Sequence, residues 1–534
     1  MDVINSTWVF PGPCDEVLPE MRGNTMDRAP GLLLGAISLY LFCKYTKRVY
    51  FHPLSGIPGP TLAAATHLYE AYHNIIGEGL FKKYIPMHKR YTRGSDSPVV
   101  RIGTNHVHIG DPNYYHTIYN TGMDYHKDHE LYKGLGVDGS ILTITDPAEH
   151  KQYRSIVSPL FSKQAADNEG PTLSLVLDKA MESVARQGRE NRPTVIQRVY
   201  RAIAADMASH LLFGRSLGLI ESSPDADHYH SFMRSIDRFT AITWPRLYYP
   251  VINWIIDSFP TFVVDKLQPG LRSLQELFEG WLNETIAAHD LGKPIEGRST
   301  YFDLMVTARR KRGEDLRPEQ LFDDLLNYII AGMEATSYVL SFGTYALLRN
   351  PRVKAKLEAE LVEAQPFIRD LDHRKIMALP YLTAVVKECL RLSNTVPGFL
   401  PRRVPKNGVD IGGYHIPGGT RISMVHPVVE LNEEIFPSPN EFLPERWMGS
   451  DSQDLEKWNV AFSRGRRQCI AKNLAYLMLY SILAVQFSRF DMELFETTPK
   501  DMEIVDQFAP ILKGVVKIKV NKDRWAASNP SGVA

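Results

Sequence analysis

Cysteine is scarce in this sequence. Its 534 residues include four cysteines, which lie far apart: Cys14, Cys43, Cys389 and Cys469. Four scattered cysteines are too few for a disulfide scaffold, and they are typical of a protein whose main body lies in a reducing compartment. Each cysteine therefore has to be interpreted from its own surroundings.

The sequence also lacks net charge. Lys+Arg and Asp+Glu both number 61, so no bulk positive charge indicates nucleic acid as a partner. An apolar fraction of 44% supports a large core and argues against general disorder. A chain of this length is compatible with two domains or with one large enzyme.

The apolar run near the N-terminus is short. Gly31–Cys43 is uncharged, but a spanning helix needs about 20 residues. Ala29, Pro30 and the aliphatic stems of the basic residues that follow extend the run, so we predict a single membrane anchor over 29–45. A signal peptide is one alternative, although no basic segment precedes the run and no A-x-A-like site follows it. A buried helix is the other alternative.

The charges around this run predict its orientation. Acidic residues precede it and basic residues follow it, which places the C-terminal side in the cytoplasm. Residues 1–28 are then a short lumenal segment, where Asn5 begins an N-glycosylation motif. Prolines and glycines make 46–60 a stiff hinge, and 61–534 forms the catalytic domain.

One cysteine has an unusual setting. Cys469 follows a basic, turn-prone stretch and precedes an apolar helix predicted over Lys472–Val485. The N-terminus of a helix carries about half a positive charge and favours an anion. We therefore expect the thiol to ionise more readily than its reference pKa of about 8.5 implies. A thiolate among cations suits an iron whose porphyrin carries carboxylates, and a buried structural cysteine is the alternative.

The loop from Phe462 to Cys469 resembles the haem-binding loop F-x-x-G-x-R-x-C-x-G of the cytochrome P450 family. The resemblance implies that Cys469 is the axial ligand of the iron in haem b (heme b) and that Arg467 pairs with a propionate. It also implies that Phe462 packs beside the thiolate and that Gly465 permits a tight turn. Ala471 departs from the motif, because the family usually has glycine there.

Further cationic residues match the family. A helix is predicted to begin at Pro147, and His150 and Arg154 lie four residues apart on one face of it. The pair is similar to the family pattern W-x-x-x-R with histidine in place of tryptophan. The resemblance implies that Arg154 contacts a propionate and that His150 lies in the cofactor site. It implies one more propionate-binding arginine, for which Arg402 is favoured over Arg403.

An acidic and a basic residue later in the chain predict a buried ion pair. Glu388 and Arg391 lie three residues apart among apolar neighbours, so a buried pair is expected rather than a weak surface pair. The pair matches the family's E-x-x-R motif in residue type and spacing. Arg446, in the segment Pro444–Trp447, is its expected partner.

The longest predicted helix, Pro318–Arg349, contains a sequence similar to the family's oxygen-activating segment A-G-x-[DE]-T-[TS]. Glu334 matches the acid of that segment. Ala335 replaces the usual threonine, and Thr336 follows one position later, about 100° further round the helix. The resemblance implies that Glu334 and Thr336 are the catalytic residues, with water carrying protons between them and the distal oxygen. Gly332 in the same helix requires either close helix packing or room for a ligand plane.

Taken together, the motifs identify the chain as a member of the cytochrome P450 family, of the membrane-anchored fungal type. The implied fold is mainly α with small β-sheets, behind an N-terminal anchor in the endoplasmic reticulum membrane. The implied reaction inserts one oxygen atom into an apolar small molecule, in fungal terpenoid, polyketide or alkaloid biosynthesis. Because the chain has no Gly-rich dinucleotide motif and no fused flavin domain, electrons would come from NADPH–cytochrome P450 reductase.

Two other functions stay open at this point. The first is a haem-thiolate enzyme that rearranges or dehydrates its substrate without net oxygen insertion, an alternative suggested by Ala335. The second is a haem-binding protein without catalytic activity. The residues from 171 to 286 contain no motif that identifies the substrate.

Overall fold

The computed structural model describes residues 29–526 apart from 95–96, 121–124, 138, 223–228, 260–262, 264–265, 267–268 and 293–298. The predicted lumenal segment, 1–28, lies outside the described residues. The described part is mainly helical with small sheets, as the sequence predicts.

The helices follow one another in chain order as α1 (Ala29–Tyr50), α2 (Thr61–Ala65), α3 (Leu68–Ile75), α4 (Phe81–Tyr91), α5 (Asn113–Ile118), α6 (His129–Tyr132), α7 (Pro147–Val157), α8 (Lys163–Asn168), α9 (Gly170–Arg189), α10 (Ile196–Phe213), α11 (Ser231–Ala241), α12 (Thr243–Tyr248), α13 (Val251–Ser258), α14 (Pro269–Asp290), α15 (Tyr301–Arg312), α16 (Pro318–Arg349), α17 (Pro351–Glu363), α18 (Gln365–Arg369), α19 (His373–Ile376), α20 (Pro380–Ser393), α21 (Pro427–Glu430), α22 (Ser452–Glu456) and α23 (Lys472–Arg489).

The strands are β1 (Val99–Gly103), β2 (His106–Ile109), β3 (His126–Lys127), β4 (Thr194–Val195), β5 (Arg402–Arg403), β6 (Val409–Ile411), β7 (Tyr414–Ile416), β8 (Arg421–Ser423), β9 (Phe490–Leu494), β10 (Ile504–Asp506), β11 (Pro510–Leu512) and β12 (Lys517–Asp523). The largest sheet has the order β1-β2-β8-β5-β3, and a second has the order β4-β12-β9. The pairs β6-β7 and β10-β11 are separate hairpins.

The long helix α16 is the centre of the core. It begins with Pro318 at its first position and ends before Pro351, as predicted, because proline fits the first turn of a helix and cannot continue one. Helices α10, α20 and α23 pack against it. A Cβ at Gly332 would lie 3.4 Å from Cβ of Ala208 in α10. This distance is an ordinary van der Waals contact, so close helix packing alone does not require glycine at this position.

Helix α1 is longer than the predicted anchor. It continues to Tyr50, into the segment predicted as a hinge, and Phe51 N–H still donates to Lys47 O at 3.0 Å. No proline or glycine interrupts the chain between Gly35 and Pro53, so nothing stops the helix at residue 45. Among the described residues, no helix combines the length and the apolarity needed to cross a bilayer.

Candidate active site

The loop that carries Cys469 is a tight backbone turn. Cys469 N–H donates to Phe462 O at 2.9 Å and closes the loop before α23 begins. Gly465 has a φ of +71°, and a Cβ there would lie 2.2 Å from Tyr119 O. Both the backbone conformation and the close contact require glycine at this position. Phe462 packs edge-on against Tyr476, with ring centroids 5.0 Å apart.

The position of Ala471 does not require the glycine that the family usually has. Its φ is −91°, in the range that every L-residue adopts, and it is the residue that precedes the first turn of α23. The departure from the family motif therefore causes no backbone strain.

The Cys469 side chain is exposed to water although protein surrounds it on most sides. Burial raises the pKa of its thiol, and this effect outweighs a hydrogen bond from Ala471 N–H and the charges of Arg154 and Lys472. The expectation that the helix N-terminus lowers this pKa is therefore wrong for the chain without a metal, because the cost of desolvating a thiolate is larger. The thiol is thus desolvated and yet accessible, which indicates an opening beside this loop.

Basic side chains from four segments meet beside this loop. We call them the cation cluster: Lys127 (β3), His150 and Arg154 (α7), Arg402 (β5) and Arg467. Arg154 Nη1 donates to Gln468 O at 2.9 Å, next to Cys469, and Arg467 Nη1 donates to Ile144 O at 2.6 Å. The predicted cofactor residues His150, Arg154, Arg402 and Arg467 therefore lie together in the structure.

The cation cluster lacks a negative partner. None of its members forms an ion pair with a carboxylate among the described residues, and Lys127, His150 and Arg402 are buried. The pKa of His150 is lowered to about 3, by burial first and then by the charges of Arg467 and Lys127. Burial and the other cations also lower the pKa of Lys127, and they lower that of Arg467 to about 10. Uncompensated buried charge is costly, so this arrangement indicates a site for an anion.

Sequence reasoning missed Lys127. Its strand β3 pairs with β5 in a register that puts Lys127 opposite Arg402. Its ammonium group donates to Leu142 O at 2.6 Å and lies 4.1 Å from the centroid of the Tyr132 ring. The two-residue strand has no recognisable sequence pattern, and only the tertiary pairing brings this lysine to the site.

The adjacent arginines of β5 point in different directions. Arg402 is buried in the cation cluster, with its guanidinium carbon 5.0 Å from the centroid of the Tyr119 ring. Arg403 instead pairs with Asp128 at 2.7 Å and Glu130 at 2.9 Å. The structure thus brings Arg402, and not Arg403, to the anion site.

The loop between residues 140 and 146 lies over the cluster. Its carbonyl oxygens accept hydrogen bonds from Lys127 and Arg467. Ile141 N–H donates to Asp324 Oδ1 of α16 at 2.7 Å, and the other carboxylate oxygen accepts from the hydroxyl groups of Tyr153 and Tyr301. Asp324, which sequence reasoning also missed, therefore fixes this loop to α16.

The pair Glu388–Arg391 is buried, as its spacing and apolar neighbours predict. Arg391 donates to both carboxylate oxygens of Glu388, at 2.9 and 2.8 Å, and both side chains are fully buried. Arg446 Nε donates to Glu388 at 3.2 Å, and Trp447 Nε1 donates to it at 2.9 Å. Several donors share one buried carboxylate, so the network is satisfied and rigid.

The middle of helix α16 has one face that is less buried than the others. Ala331 is exposed and Ala335 is half-buried, whereas Met333 and Glu334 are buried. Residues four apart lie on the same face of a helix, so Ala331 and Ala335 form a narrow, accessible apolar stripe. Small side chains leave room for a ligand along this stripe.

Glu334 lies beside this stripe and is held by an arginine of α10. Arg201 Nη2 donates to Glu334 at 2.5 Å and also to Asp237 of α11 at 2.6 Å. Burial raises the pKa of Glu334, and the nearby Asp237 adds to the increase, against the opposing charge of Arg201. No sequence motif indicates Arg201 or Asp237, because they belong to other helices.

Thr336 is buried and forms no hydrogen bond through its hydroxyl with the described residues. It lies two residues after Glu334, which separates the two side chains by about 200° around the helix. The two predicted catalytic residues therefore lie on opposite sides of the Ala331–Ala335 stripe rather than side by side.

The fold and this site can be compared with known proteins. The family model "Cytochrome P450" matches residues 58–519. The chain therefore belongs to the cytochrome P450 family, which confirms the predicted family and the mainly helical fold with small sheets; the membrane anchor stays a prediction. The family is a haem-thiolate family, and the residues fit such a group: an accessible thiol faces an opening, and buried cations without carboxylates lie beside it.

Its relatives share the activity as well as the fold. The chain is 70% identical to the cytochrome P450 monooxygenase ankB of Aspergillus thermomutatus over 98% of this chain and 100% of that protein. It is 40% identical to phqM of Penicillium fellutanum, over 89% and 88% of the two chains. It is 35% identical to cloA of Claviceps purpurea, over 92% and 95%. All three are cytochrome P450 monooxygenases, and so is this chain.

Proposed function

We propose that this monooxygenase holds haem b with Cys469 as the axial ligand of the iron and with the cation cluster around the propionates. The observation that carries the proposal is the meeting of buried positive charges, without a carboxylate among the described residues, beside a thiol that faces an internal opening. Two propionates would supply the missing negative charge. When bound, haem supplies the chemistry of oxygen activation.

Each member of the cluster has a distinct part in this arrangement. The guanidinium groups of Arg154, Arg402 and Arg467 bind propionate oxygens, since a planar fork of donors matches a carboxylate. His150 stays neutral because its pKa is lowered to about 3, so it contributes a neutral hydrogen bond rather than a charge. Lys127 adds a further donor, from the side of β3.

The loop around Cys469 positions the sulfur atom. The turn at Gly465 and the hydrogen bond from Cys469 N–H to Phe462 O fix the direction in which the thiol points. Phe462 shields one side of it. The hydrogen bond from Ala471 N–H and the charge of Arg154 favour the thiolate, which is the form that binds a metal and that the metal stabilises in turn.

Glu334 and Thr336 are proposed as the residues that deliver protons on the opposite side of the site. Glu334 has a raised pKa, so it exchanges protons closer to neutral pH than an ordinary carboxyl group. Arg201 keeps its carboxylate in place. Because Thr336 lies on the other side of the stripe, water in the opening has to connect the two side chains.

Two measurements test the cofactor and the reaction. The Cys469→Ser variant should lose the carbon monoxide spectrum typical of a thiolate-bound reduced haem; retention of that spectrum would contradict Cys469 as the ligand. With reductase, NADPH and a substrate, ¹⁸O₂ should label the product. A product that forms without label would instead support the rearranging or dehydrating alternative, which the presence of Ala335 suggests.

The proposed substrate is an apolar small molecule of fungal secondary metabolism, and the proposed electron donor is NADPH–cytochrome P450 reductase. The apolar stripe of Ala331 and Ala335 supports the first part, together with the relatives from Aspergillus, Penicillium and Claviceps. A comparison of metabolites from a host with and without this chain tests it. Accumulation of the same metabolites in both hosts would contradict it.

We further propose that the protein is a single-pass protein of the endoplasmic reticulum membrane whose catalytic domain, 61–534, faces the cytoplasm. Residues 1–28 are then lumenal, 29–45 form the anchor and 46–60 the hinge. Helix α1 supports this, because its large apolar side chains are exposed, with Leu32 72% and Phe42 68% accessible. Such a surface is unfavourable in water.

A second group of exposed apolar side chains supports the same proposal. We call it the apolar face: Leu62, Leu68, Tyr72 and Ile76 around α2 and α3, and Val251, Trp254, Ile255 and Phe259 around α13. The two parts are adjacent, since Asn74 of α3 donates to the hydroxyl of Tyr248, shortly before α13, at 2.7 Å. Protease treatment of microsomes should degrade a tag on the C-terminus and spare one on the N-terminus. The reverse pattern would contradict this orientation.

A further inference from the structure

A second pocket lies away from the cation cluster, at the C-terminal end of α1. It encloses about 360 Å³, within the usual range of small-molecule sites. Three segments form it: the end of α1 with the following turn, the turn between β1 and β2, and the turn before β8. Its lining residues are Arg48, His52, Pro53, Thr104, Asn105, Pro417, Gly418 and Thr420.

The charge of this pocket is positive and uncompensated. Arg48 and His52 line it, and Arg101 lies beneath it, 2% exposed. Arg101 Nη2 donates to Arg48 O at 3.0 Å and to Thr104 O at 2.8 Å. None of the three forms an ion pair with a carboxylate among the described residues. Burial lowers the pKa of His52, and the positive charges of Arg101 and Arg48 lower it further, as expected for basic groups grouped together.

The hydrogen-bond donors of the pocket are available to a ligand. His52 Nδ1 accepts a hydrogen bond from Leu54 N–H at 3.1 Å, so the ring proton lies on Nε2. Arg48 uses Nη1 for Ala65 O at 3.1 Å, which leaves its other nitrogen atoms for an anion. The hydroxyls of Thr104 and Thr420 line the same space.

The position of the pocket identifies the source of the anion. The exposed apolar side chains of α1 precede the pocket residues in the chain. Tyr50 and Phe51, which lie next to the pocket residues Arg48 and His52, are 70% and 75% exposed. Exposed aromatic residues next to basic ones are typical of the level of lipid headgroups. We infer that this pocket binds the anionic phosphate headgroup of a membrane lipid. The inference rests on the proposed membrane association.

The test uses the full-length, haem-loaded chain in a neutral detergent and a short-chain phosphatidic acid as the probe, with calorimetry as the readout. We expect saturable binding. The R48Q variant removes a charge from the pocket, and H52N removes the ring donor but keeps an acceptor for Leu54 N–H. R48Q should weaken binding roughly fivefold or more, the effect of about one basic residue at a lipid surface. H52N should weaken it by a similar factor, because one hydrogen bond to an anion is lost. The matched control K47Q removes a charge from an exposed side chain of α1 outside the pocket and should leave binding unchanged.

Other results would overturn the inference. Equal losses in R48Q and K47Q would indicate diffuse attraction rather than a pocket. Glycerol 3-phosphate binding as tightly as the lipid would assign the pocket to a soluble phosphate compound. Absence of binding would reject the site even if the chain sediments with membranes. Sedimentation of the chain with microsomes is measured separately, so a failure of the membrane proposal is distinguishable from a failure of this one.

Discussion

Arg402 and Arg403 illustrate how far a single residue can be assigned from sequence. Consecutive residues of a strand point to opposite faces, so one arginine faces the cation cluster and the other faces away. The family resemblance located the pair. Which face belongs to the site depends on Asp128 and Glu130, which pair with Arg403 across the sheet. That information is tertiary, and no local pattern contains it.

Lys127 provides the first prediction. Lys127→Met keeps the length of the side chain but removes the charge, so the affinity of the apoprotein for haem should fall by roughly 10- to 100-fold, the effect of losing a charged hydrogen bond. A spectroscopic titration of apoprotein with haem measures it. The melting temperature of the apoprotein should not fall, because the variant removes one of several like charges.

Lys133→Met is the matched control, since Lys133 is exposed on the same stretch of chain. It should bind haem like the parent. If Lys127→Met also keeps the parental affinity, or if both variants lose it equally, Lys127 does not bind the cofactor.

Asp324 provides a prediction about pH. Burial raises its pKa from 3.8 to about 6, against the hydrogen bonds from Tyr153, Ile141 and Tyr301. The folded state therefore binds this proton more tightly than the unfolded state. The contribution of this protonated carboxyl group to the free energy of unfolding is fully present below about pH 4 and is lost as the pH rises through about 6. The total loss is about 3 kcal/mol.

The neutral variant Asp324→Asn should lack this dependence. Between about pH 4 and 6 its free energy of unfolding should rise relative to that of the parent, as measured by chemical denaturation. Asp454→Asn, in an exposed side chain, should instead run parallel to the parent at every pH. A parallel curve for Asp324→Asn would show that this carboxyl group is not responsible.

At the scale of secondary-structure elements, the start and end of a helix could be predicted best where a few neighbouring residues determine them. Asp146 caps α7 with a hydrogen bond from Glu149 N–H, and α16 has the predicted bounds. Local signals of this kind depend on a few neighbouring residues. The end of α1 was predicted less well, because the membrane-length argument that suggested residue 45 says nothing about where the backbone stops being helical.

The turn before Cys469 provides the third prediction. Gly465→Ala combines an unfavourable positive φ with a Cβ 2.2 Å from Tyr119 O, so the loop must move and the purified protein should contain much less haem. Gly413→Ala adds a methyl group at a φ of +80° with no atom within 4 Å, and this strain alone should cost about 1 kcal/mol.

Gly449→Ala is the second control, because Gly449 has neither a positive φ nor an atom within 4 Å of the added Cβ. Haem content and melting temperature are measured for all three variants. Equal haem content in Gly465→Ala and Gly413→Ala would mean that the contact with Tyr119 is unimportant for the loop.

At the scale of the whole molecule, the apolar face extends the membrane contact beyond α1. The double variant W254S/I255S should reduce the fraction of the protein that stays with microsomes after a high-salt wash, since each side chain contributes about 1.5–3 kcal/mol when removed from water. A sedimentation assay measures that fraction. The control Val362→Ser changes an apolar side chain that is 62% exposed on α17 and should have no effect. Equal retention in both variants would exclude the apolar face from the membrane.

The candidate active site could be predicted in part because some of its residues stand at fixed separations within one segment of the sequence. Cys469, Glu388 and Arg391 stand in such spacings within single segments, and Glu388 and Arg391 form the buried ion pair that their spacing predicts. Lys127, Arg201 and Asp324 belong to the same region but act across distant segments. The substrate is the least predictable feature, because residues 171–286 contain no motif that identifies it.

The unpaired charges of the cation cluster should also make the amount of folded protein depend on the concentration of haem. A ligand that binds only the folded chain raises folding stability with the logarithm of its concentration. Without haem, the like charges around Arg467 repel one another, and a larger fraction of newly made chains would unfold and be degraded. The cellular amount of this protein should therefore follow porphyrin synthesis, so that a host limited in haem makes less of the polypeptide and not merely a less active one.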